Sequence, residues 1–248
     1  MAASKLVFIH GFLEDATMWQ PILSAISKKN YIVCTPELPG HGKNMNLPSE
    51  ISATSWCRNL LEQINLTADE TVFIVGHSMG GYMASTLATI IPQQINGLCL
   101  FHSKAGADDE NKLNDRRRAI EAAGSNKDLY VRTMVTNVFF EGTREKFHAD
   151  IEKQILRAQQ LSVETIQASQ QVMIDRRDQI EFMKNRKFPL FYFLGEKDTS
   201  IPIQVAQNEI RLLPGTVAHV VPGIGHMGHI ESRKETIEFI QRVIHTDV

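Results

Sequence analysis

Cysteine is scarce in this chain. Only three cysteines occur among 248 residues, and Cys34 and Cys99 lie inside apolar runs. Buried, reduced thiols are the usual state of cysteines in such positions. The sequence therefore argues against a disulfide-stapled scaffold and against a cysteine-ligated metal site.

Long apolar runs and an excess of charge of one sign are also missing. The net charge is -2, and the first apolar run, residues 6–9, is too short for a signal peptide. No later run approaches the roughly 18 apolar residues that a membrane-spanning helix needs. We expect no nucleic-acid partner, no membrane partner and a cytoplasmic location.

One glycine-rich hexapeptide, Gly76-His77-Ser78-Met79-Gly80-Gly81, stands between two patterned segments. Residues 71–75 are apolar and β-branched, which is typical of a buried strand, and residues 82–91 carry small and apolar side chains at helical spacing. The pattern G-x-S-x-G between a strand and a helix predicts a nucleophile elbow with Ser78 at its apex. The alternative is a plain structural turn.

Strand patterns alternate with helix patterns along most of the chain. This alternation, without hairpin signals, predicts an α/β fold with a doubly wound, mainly parallel six-stranded sheet. The predicted strands are residues 6–9, 31–34, 71–75, 95–101, 189–194 and 217–221, and the predicted helices around them are 18–27, 51–64, 82–91, 203–213 and 233–244.

The alternation stops between residues 104 and 187, where the chain is charged and patterned as helices only. We predict a core of residues 1–103 and 188–248 and an inserted helical cap, 104–187, that serves as a lid. The alternative is a peripheral decoration with no role in binding. The predicted cap helices are 111–123, 126–139, 143–160 and 163–176.

A serine needs a base and an orienting acid to become a nucleophile, and the chain offers both in the order Ser, Asp, His. Asp198 follows the fifth predicted strand and His226 follows the sixth. Each alone reads as a turn or loop residue, and His229 is the nearest rival base. Because Gly225 and Gly228 let the loop project His226 inward, we predict the triad Ser78, Asp198 and His226.

Backbone N–H groups must stabilise the oxyanion that forms during acyl transfer. We predict that Met79, the residue after the nucleophile, and Phe12, behind His10-Gly11, donate them. The predicted pocket favours short- to medium-chain esters, although its cap residues can equally pack as cap core. It comprises Leu13, His102, Val138, Phe139, Phe140 and Met173.

These motifs, in this order, resemble the α/β-hydrolase superfamily over essentially the whole chain, and in particular its compact six-stranded members. The other matching segments are His10-Gly11-Phe12, residues 38–42, the strand end from Gly195 to Asp198, and residues 225–231. The resemblance implies a Ser/Asp/His acyl-transfer site, a helical cap, and neither a metal nor an organic cofactor.

The resemblance leaves three functions open. The first is a serine hydrolase whose partner is a small-molecule ester or lactone. The second is a lyase similar to the menaquinone-pathway enzyme that eliminates pyruvate; that enzyme usually has a basic residue where this chain has Tyr82, and residues 116–118 offer charge instead. The third is a non-catalytic sensor of small molecules. The sequence does not indicate an oligomeric state.

Overall fold

A single parallel sheet forms the centre of the computed structural model, which describes residues 4–27 and 31–245. The outer ends of the predicted core segments, residues 1–3 and 246–248, lie outside the described residues. The strands are β1 Ser4–Ile9, β2 Tyr31–Cys34, β3 Thr71–His77, β4 Ile95–Phe101, β5 Leu190–Gly195 and β6 Thr216–Val221. Their order is β2-β1-β3-β4-β5-β6, and every neighbouring pair is parallel. The predicted fold class is confirmed.

Helices cover both faces of the sheet and fill the segment between β4 and β5. They are α1 Gln20–Leu23, α2 Ala53–Ile64, α3 Met79–Ile90, α4 Glu110–Ser125, α5 Lys127–Val138, α6 His148–Ala158, α7 Val163–Asp175, α8 Ile180–Lys184, α9 Ile203–Arg211, α10 Gly228–Glu231 and α11 Arg233–Ile244. Within the described ranges, none of these helices has the length and apolarity needed to cross a bilayer.

The strand sequences explain why the sheet is covered on both faces. Successive residues of a strand point to opposite faces, so an apolar run is buried on both. In β1, Leu6 and Phe8 join the cluster under α1 and α11, whereas Val7 and Ile9 join the cluster under α2, α3 and α9. All four side chains are fully buried.

The register of the strands brings the site residues to one edge of the sheet. Ile9 pairs with Gly76, and Gly76 pairs with Leu100. Gly195 pairs with Val221 at the same edge. The loops that follow β1, β3, β4, β5 and β6 therefore open side by side at the carboxyl ends of the strands, where open α/β sheets bind ligands.

The first predicted helix, residues 18–27, is wrong in extent. The chain forms a 3₁₀ turn at Ala16–Trp19 and then the single turn of α1. The Asp15 side chain accepts the N–H of Thr17 at 2.9 Å and so starts the turn early. At the other end, the Ser24 hydroxyl donates to the Gln20 carbonyl at 2.8 Å, a local bond that competes with the helix ladder.

The predicted cap helix 143–160 is also wrong in extent, because the chain instead forms a 3₁₀ turn at Glu141–Thr143 and begins α6 only at His148. The Thr143 hydroxyl donates to Glu231 Oε1 at 2.6 Å, which ties the turn to the core. The short helix α8 was not predicted at all. The cap helices bury their own apolar cluster, which also contacts Leu13 and Met227 of the core. The division of the chain into a core and a cap at residues 104 and 187 remains a prediction.

Gly80 should tolerate no side chain, because a methyl group there would collide with the backbone carbonyl oxygens of Ile9 and His10 on β1 and its loop. We expect Gly80→Ala to lower the free energy of unfolding by about 1–3 kcal/mol, the usual cost of overpacking. The measurement is a urea unfolding curve.

Gly124→Ala is the matched control, since Gly124 lies in α4 and an added methyl group would meet only the amide of Gln167. Alanine should there stabilise the protein by up to about 1 kcal/mol through helix propensity. Equal stability of the two variants would contradict the close approach of α3 to β1.

Candidate active site

Ser78 lies at a sharp bend between β3 and α3. Its φ of 50° and ψ of -116° fall outside the regions that L-residues ordinarily adopt. Gly76 makes the bend possible, because a Cβ there would overlap the backbone of Gly80 and Gly81. Ser78 is the N-cap of α3: its carbonyl accepts the N–H of Tyr82 at 3.3 Å, and Met79, the first residue of α3, follows it in the chain.

Asp198 and His226 form the second part of the site. His226 Nδ1 donates to Asp198 Oδ2 at 2.7 Å. Asp198 Oδ1 accepts the N–H groups of Ser200 at 2.8 Å and Ile201 at 2.9 Å. Because Nδ1 is occupied, the other nitrogen of the His226 ring, Nε2, is left to act as a base. Ser78 and His226 line the same cavity.

A second histidine shares the Asp198 carboxylate. His102 Nδ1 donates to Asp198 Oδ2 at 3.0 Å, and burial lowers the pKa of His102 to about 4, so this ring is neutral. Burial alone would raise the pKa of Asp198, but the charge of His226 and the hydrogen bonds from both histidines hold it well below its usual range. The prediction that His102 lines the pocket is wrong: its fully buried ring lies behind Asp198.

Glu231 holds the loop that carries His226, a role that was not predicted from the sequence. Its Oε2 accepts the N–H groups of Gly225 and Met227, each at 3.1 Å. Its Oε1 accepts the N–H of Phe140 at 3.1 Å, which fastens the same loop to the end of α5. A charged residue five positions after a candidate base is a signal that sequence reasoning can use, because buried loop N–H groups need acceptors.

The cavity above Ser78 encloses about 650 Å³, part of it open to solvent, and lies between the core and the cap. Among the predicted pocket residues, Leu13, Val138 and Met173 line it, as does Phe12. The other lining residues are Glu14, His77, Ser78, Tyr82, Lys112, Arg116, Met134, Val135, Gln154, Gln170, Ser200, His226 and Met227.

Phe139 and Phe140 do not line this cavity, so their prediction is wrong. The backbone of Phe139 is extended where α5 ends, and its ring is 1% exposed within the apolar cluster of the cap. Both residues line a separate groove together with Thr199 and Pro202. The turn out of α5 decides both orientations, and helical periodicity alone does not reveal where such a turn falls.

Polar side chains of the cavity wall were likewise missed. Gln154 of α6 donates its amide to the Leu13 carbonyl at 2.7 Å and thereby ties the loop after β1 to the cap. Leu13 itself has a φ of 61°, a strained value for a residue with a side chain. A lone glutamine on a charged helix resembles a solvated residue, so the sequence contains no signal for this contact.

A cluster of cations lies at the cap end of the cavity. Three of them share one buried carboxylate, that of Asp108: Lys104 at 3.1 Å, Arg116 at 2.7 Å and Arg176 at 2.8 Å. Burial alone would raise the pKa of Asp108, but these cations lower it to about 2. Arg176 lies 3.9 Å from the ring centre of Tyr82, and its Nε and Nη1 have no hydrogen-bond partner among the described residues.

Lys112 and Arg116 carry this positive charge into the cavity wall. Burial, and then the neighbouring Arg116, lower the pKa of Lys112, as expected where cations crowd together. Arg116 Nη1 also donates to Gln170 Oε1 at 3.2 Å. One end of the cavity is therefore cationic, while Met134, Val135 and Val138 make the neighbouring wall apolar.

A six-stranded parallel sheet with a strand–serine–helix bend and an acid–histidine pair at its carboxyl edge defines a class of protein, the α/β hydrolases. The family model for the alpha/beta hydrolase fold matches residues 5–232. The chain belongs to the alpha/beta hydrolase fold family.

Curated relatives are similar over nearly the whole chain. An uncharacterized protein of Mycobacterium bovis is 23% identical over 260 residues, covering 97% of this chain and 75% of the relative. A 2-succinyl-6-hydroxy-2,4-cyclohexadiene-1-carboxylate synthase of Salmonella heidelberg is 27% identical over 263 residues, covering 98% and 94%.

Solved structures support the fold. A thermophilic esterase from Thermogutta terrifontis, with malate bound, superposes with a TM-score of 0.87 at 23% identity. The superposition covers 98% of this chain and 90% of the esterase chain. The enol-lactonase from Burkholderia xenovorans has a TM-score of 0.82 at 16% identity, and the superposition covers 98% of this chain and 92% of the lactonase chain.

Replacing Asp198 by asparagine should destabilise the protein even without substrate, because an amide offers one oxygen where the carboxylate accepts four donors. The pKa of Asp198 is lower in the folded protein than in the unfolded chain. The ionised carboxylate therefore stabilises the fold at pH values above its unfolded pKa, and this stabilisation is lost as the pH falls through the folded pKa. The stability gap between wild type and Asp198→Asn should therefore narrow between pH 6 and pH 3.

Chemical denaturation at several pH values measures this gap. Asp115→Asn is the control, because Asp115 is exposed on α4 and bonds only to the exposed Arg118. A gap that is the same at every pH would mean that the pKa of Asp198 is unchanged by folding.

Proposed function

We propose that this protein is a serine hydrolase that cleaves a small carboxylic ester or lactone through an acyl-enzyme on Ser78. The observation that supports this most directly is the shared cavity, in which the serine of the bend and the imidazole of His226 stand together. The esterase and lactonase named above share this fold, although at their low identity they support the fold alone.

In the proposed reaction, His226 Nε2 takes the proton of the Ser78 hydroxyl as its oxygen bonds to the substrate carbonyl carbon. Asp198 keeps the proton on Nδ1 and stabilises the imidazolium. The backbone N–H groups of Phe12 and Met79 receive the oxyanion. The imidazolium then gives its proton to the leaving alkoxide oxygen as the C–O bond of the ester breaks, which releases the alcohol. His226 next takes a proton from a water molecule whose oxygen bonds to the acyl carbon, and it returns that proton to Ser78 as the acid leaves. The helices of residues 104–187 act as the lid of this site.

Ser78→Ala tests the nucleophile. Turnover of p-nitrophenyl acetate or butyrate should fall by at least about 10⁴-fold, as triad removals do. Ser85→Ala is the control, since Ser85 is a buried serine of α3 whose hydroxyl has no partner among the described residues. A Ser78→Ala variant that keeps more than a tenth of the activity would refute the assignment.

A second candidate function is a lyase that uses His226 and Ser78 to abstract a proton from an anionic substrate. The cationic end of the cavity favours it, and so does the similarity to a synthase whose name contains a carboxylate. Arg116 lies in the cavity wall, where it can replace the basic residue that the lyase resemblance places at Tyr82.

Covalent chemistry separates the two functions. A hydrolase should release a burst of p-nitrophenol equal to the enzyme concentration and gain the mass of the acyl group on Ser78. A lyase should give neither, yet it should eliminate a leaving group from a carboxylate-bearing substrate.

For either reaction we propose a substrate that carries a carboxylate beside Lys112 and Arg116. An anion there would add negative charge beside Lys112 and Arg116, at a place where Lys104, Arg116 and Arg176 already share the carboxylate of Asp108 and where Arg116 lowers the pKa of Lys112. The malate bound to the Thermogutta terrifontis esterase is an acid of this kind.

Lys112→Gln and Arg116→Gln test this substrate class, with p-nitrophenyl hemisuccinate compared against the uncharged butyrate. Wild type should prefer the hemisuccinate, and each variant should lose about 10- to 100-fold of that preference in kcat/KM, the value of one charge-assisted hydrogen bond. Arg117→Gln is the control, since Arg117 is exposed on the same helix and pairs with Glu110. A preference that survives both changes would place the anion elsewhere.

A further inference from the structure

A second acid–histidine pair, Glu14 and His77, lies beside the candidate triad. Glu14 belongs to the loop after β1, and His77 is the last residue of β3, directly before Ser78. Both side chains are almost completely buried, and His77 Nδ1 lies 2.6 Å from Glu14 Oε2. A Cβ on Gly11 would overlap this contact, so only glycine fits beneath it.

Two backbone groups also bond to the pair. Glu14 Oε2 accepts the N–H of Gly11 at 2.8 Å, in the loop that presents Phe12. His77 Nε2 lies 3.1 Å from the backbone carbonyl oxygen of His226. A pair of buried side chains therefore bridges the loop before the candidate oxyanion donor, the nucleophile bend, and the backbone of the candidate base.

These contacts fix the protonation state of His77. A carbonyl oxygen can only accept, so Nε2 must carry a proton to bond to His226. Nδ1 faces an oxygen of Glu14 that already accepts the N–H of Gly11, and a carboxylate is the form that accepts both donors at once. With a proton on each nitrogen, His77 is an imidazolium paired with an ionised Glu14.

The surrounding groups leave His77 as the charged ring of this cluster. Burial alone would lower the pKa of His77, but the Glu14 carboxylate raises it above its usual range. Burial instead lowers the pKa of His229 to about 3. The titratable groups that face the pair from the neighbouring elements are His10, His102, Asp198, His226 and His229.

We propose that the Glu14–His77 ion pair positions the catalytic site: His77 stays an imidazolium throughout the reaction and holds the backbone of His226 against the bend that carries Ser78. This role rests on the proposed function, because it sets the geometry in which His226 acts as base. His77 neither gives up nor receives a proton in the cycle, so it is a positioning residue and not a catalytic one.

The pH dependence of activity follows from the two charges. His77 is charged below its folded pKa, so the bridge is intact there and is lost as the pH rises through that value. The alkaline limb of the profile therefore reports His77 and not the triad.

Glu14→Gln tests this assignment, since glutamine keeps an oxygen for the N–H of Gly11 but removes the charge that holds the proton on His77. The alkaline limb of kcat should move down by at least about one pH unit, with KM nearly unchanged. Glu37→Gln is the matched control, because Glu37 Oε2 lies 3.2 Å from the ring of His10, in the same loop as Glu14, and does not contact His77. A limb that stays in place in Glu14→Gln would overturn the proposal.

Two replacements of His77 keep one bond each. The amide nitrogen of His77→Asn can occupy the place of Nδ1 and still donate to Glu14, whereas that of His77→Gln can occupy the place of Nε2 and still donate to His226. Because both bonds are needed, each variant should lose about 10- to 100-fold in kcat, the cost of misplacing a reacting group. The alkaline limb of the pH profile of kcat should also disappear in each variant. Wild-type kcat in either folded variant, checked by circular dichroism, would overturn the role.

A direct measurement separates this proposal from the proposed function. Nitrogen-15 NMR of the histidine rings, assigned with His77→Gln, should show two protonated nitrogens on His77 at pH values below the alkaline limb of the activity profile. A neutral ring would overturn the proposal whatever the activity. Absence of both ester turnover and fluorophosphonate labelling of Ser78 would instead refute the hydrolase, and the NMR result would still decide the charge of His77.

Discussion

The bend at Ser78 is the constraint on which the rest of the site depends. A residue with a side chain holds φ at 50° there, a conformation that persists only when its surroundings enforce it. The surroundings are two close backbone approaches, of β3 to α3 at Gly76 and of α3 to β1 at Gly80. The same contacts that strain the serine therefore fix its distance from the loops of the neighbouring strands.

Buried carboxylates organise the loops around that bend. Asp198 joins the loops after β4, β5 and β6, because His102 and His226 both donate to it. Glu14 joins the loop after β1 to the end of β3, and Glu231 joins the loop after β6 to the cap. An ionised carboxylate is costly to bury, and each of these is accompanied by several donors, so losing one partner leaves a charge that the interior cannot solvate.

The sequence predicts the parts of this architecture that depend on periodicity and on glycine. Strand patterns such as residues 95–101 identify the sheet, and the glycines around Ser78 identify the bend, because both are local properties. The orientation of Phe139 depends on where α5 ends, and the partnership of Glu14 with His77 spans 63 positions of the chain. Neither follows from local pattern, since both are decided by how distant segments meet.

The cavity is asymmetric, and its asymmetry constrains what can react there. The apolar wall of Met134, Val135 and Val138 stabilises a hydrocarbon portion, while Lys112 and Arg116 stabilise negative charge. A substrate with an apolar body and a terminal carboxylate would satisfy both walls at once, whereas a neutral long-chain lipid would bring no negative charge to the cationic wall.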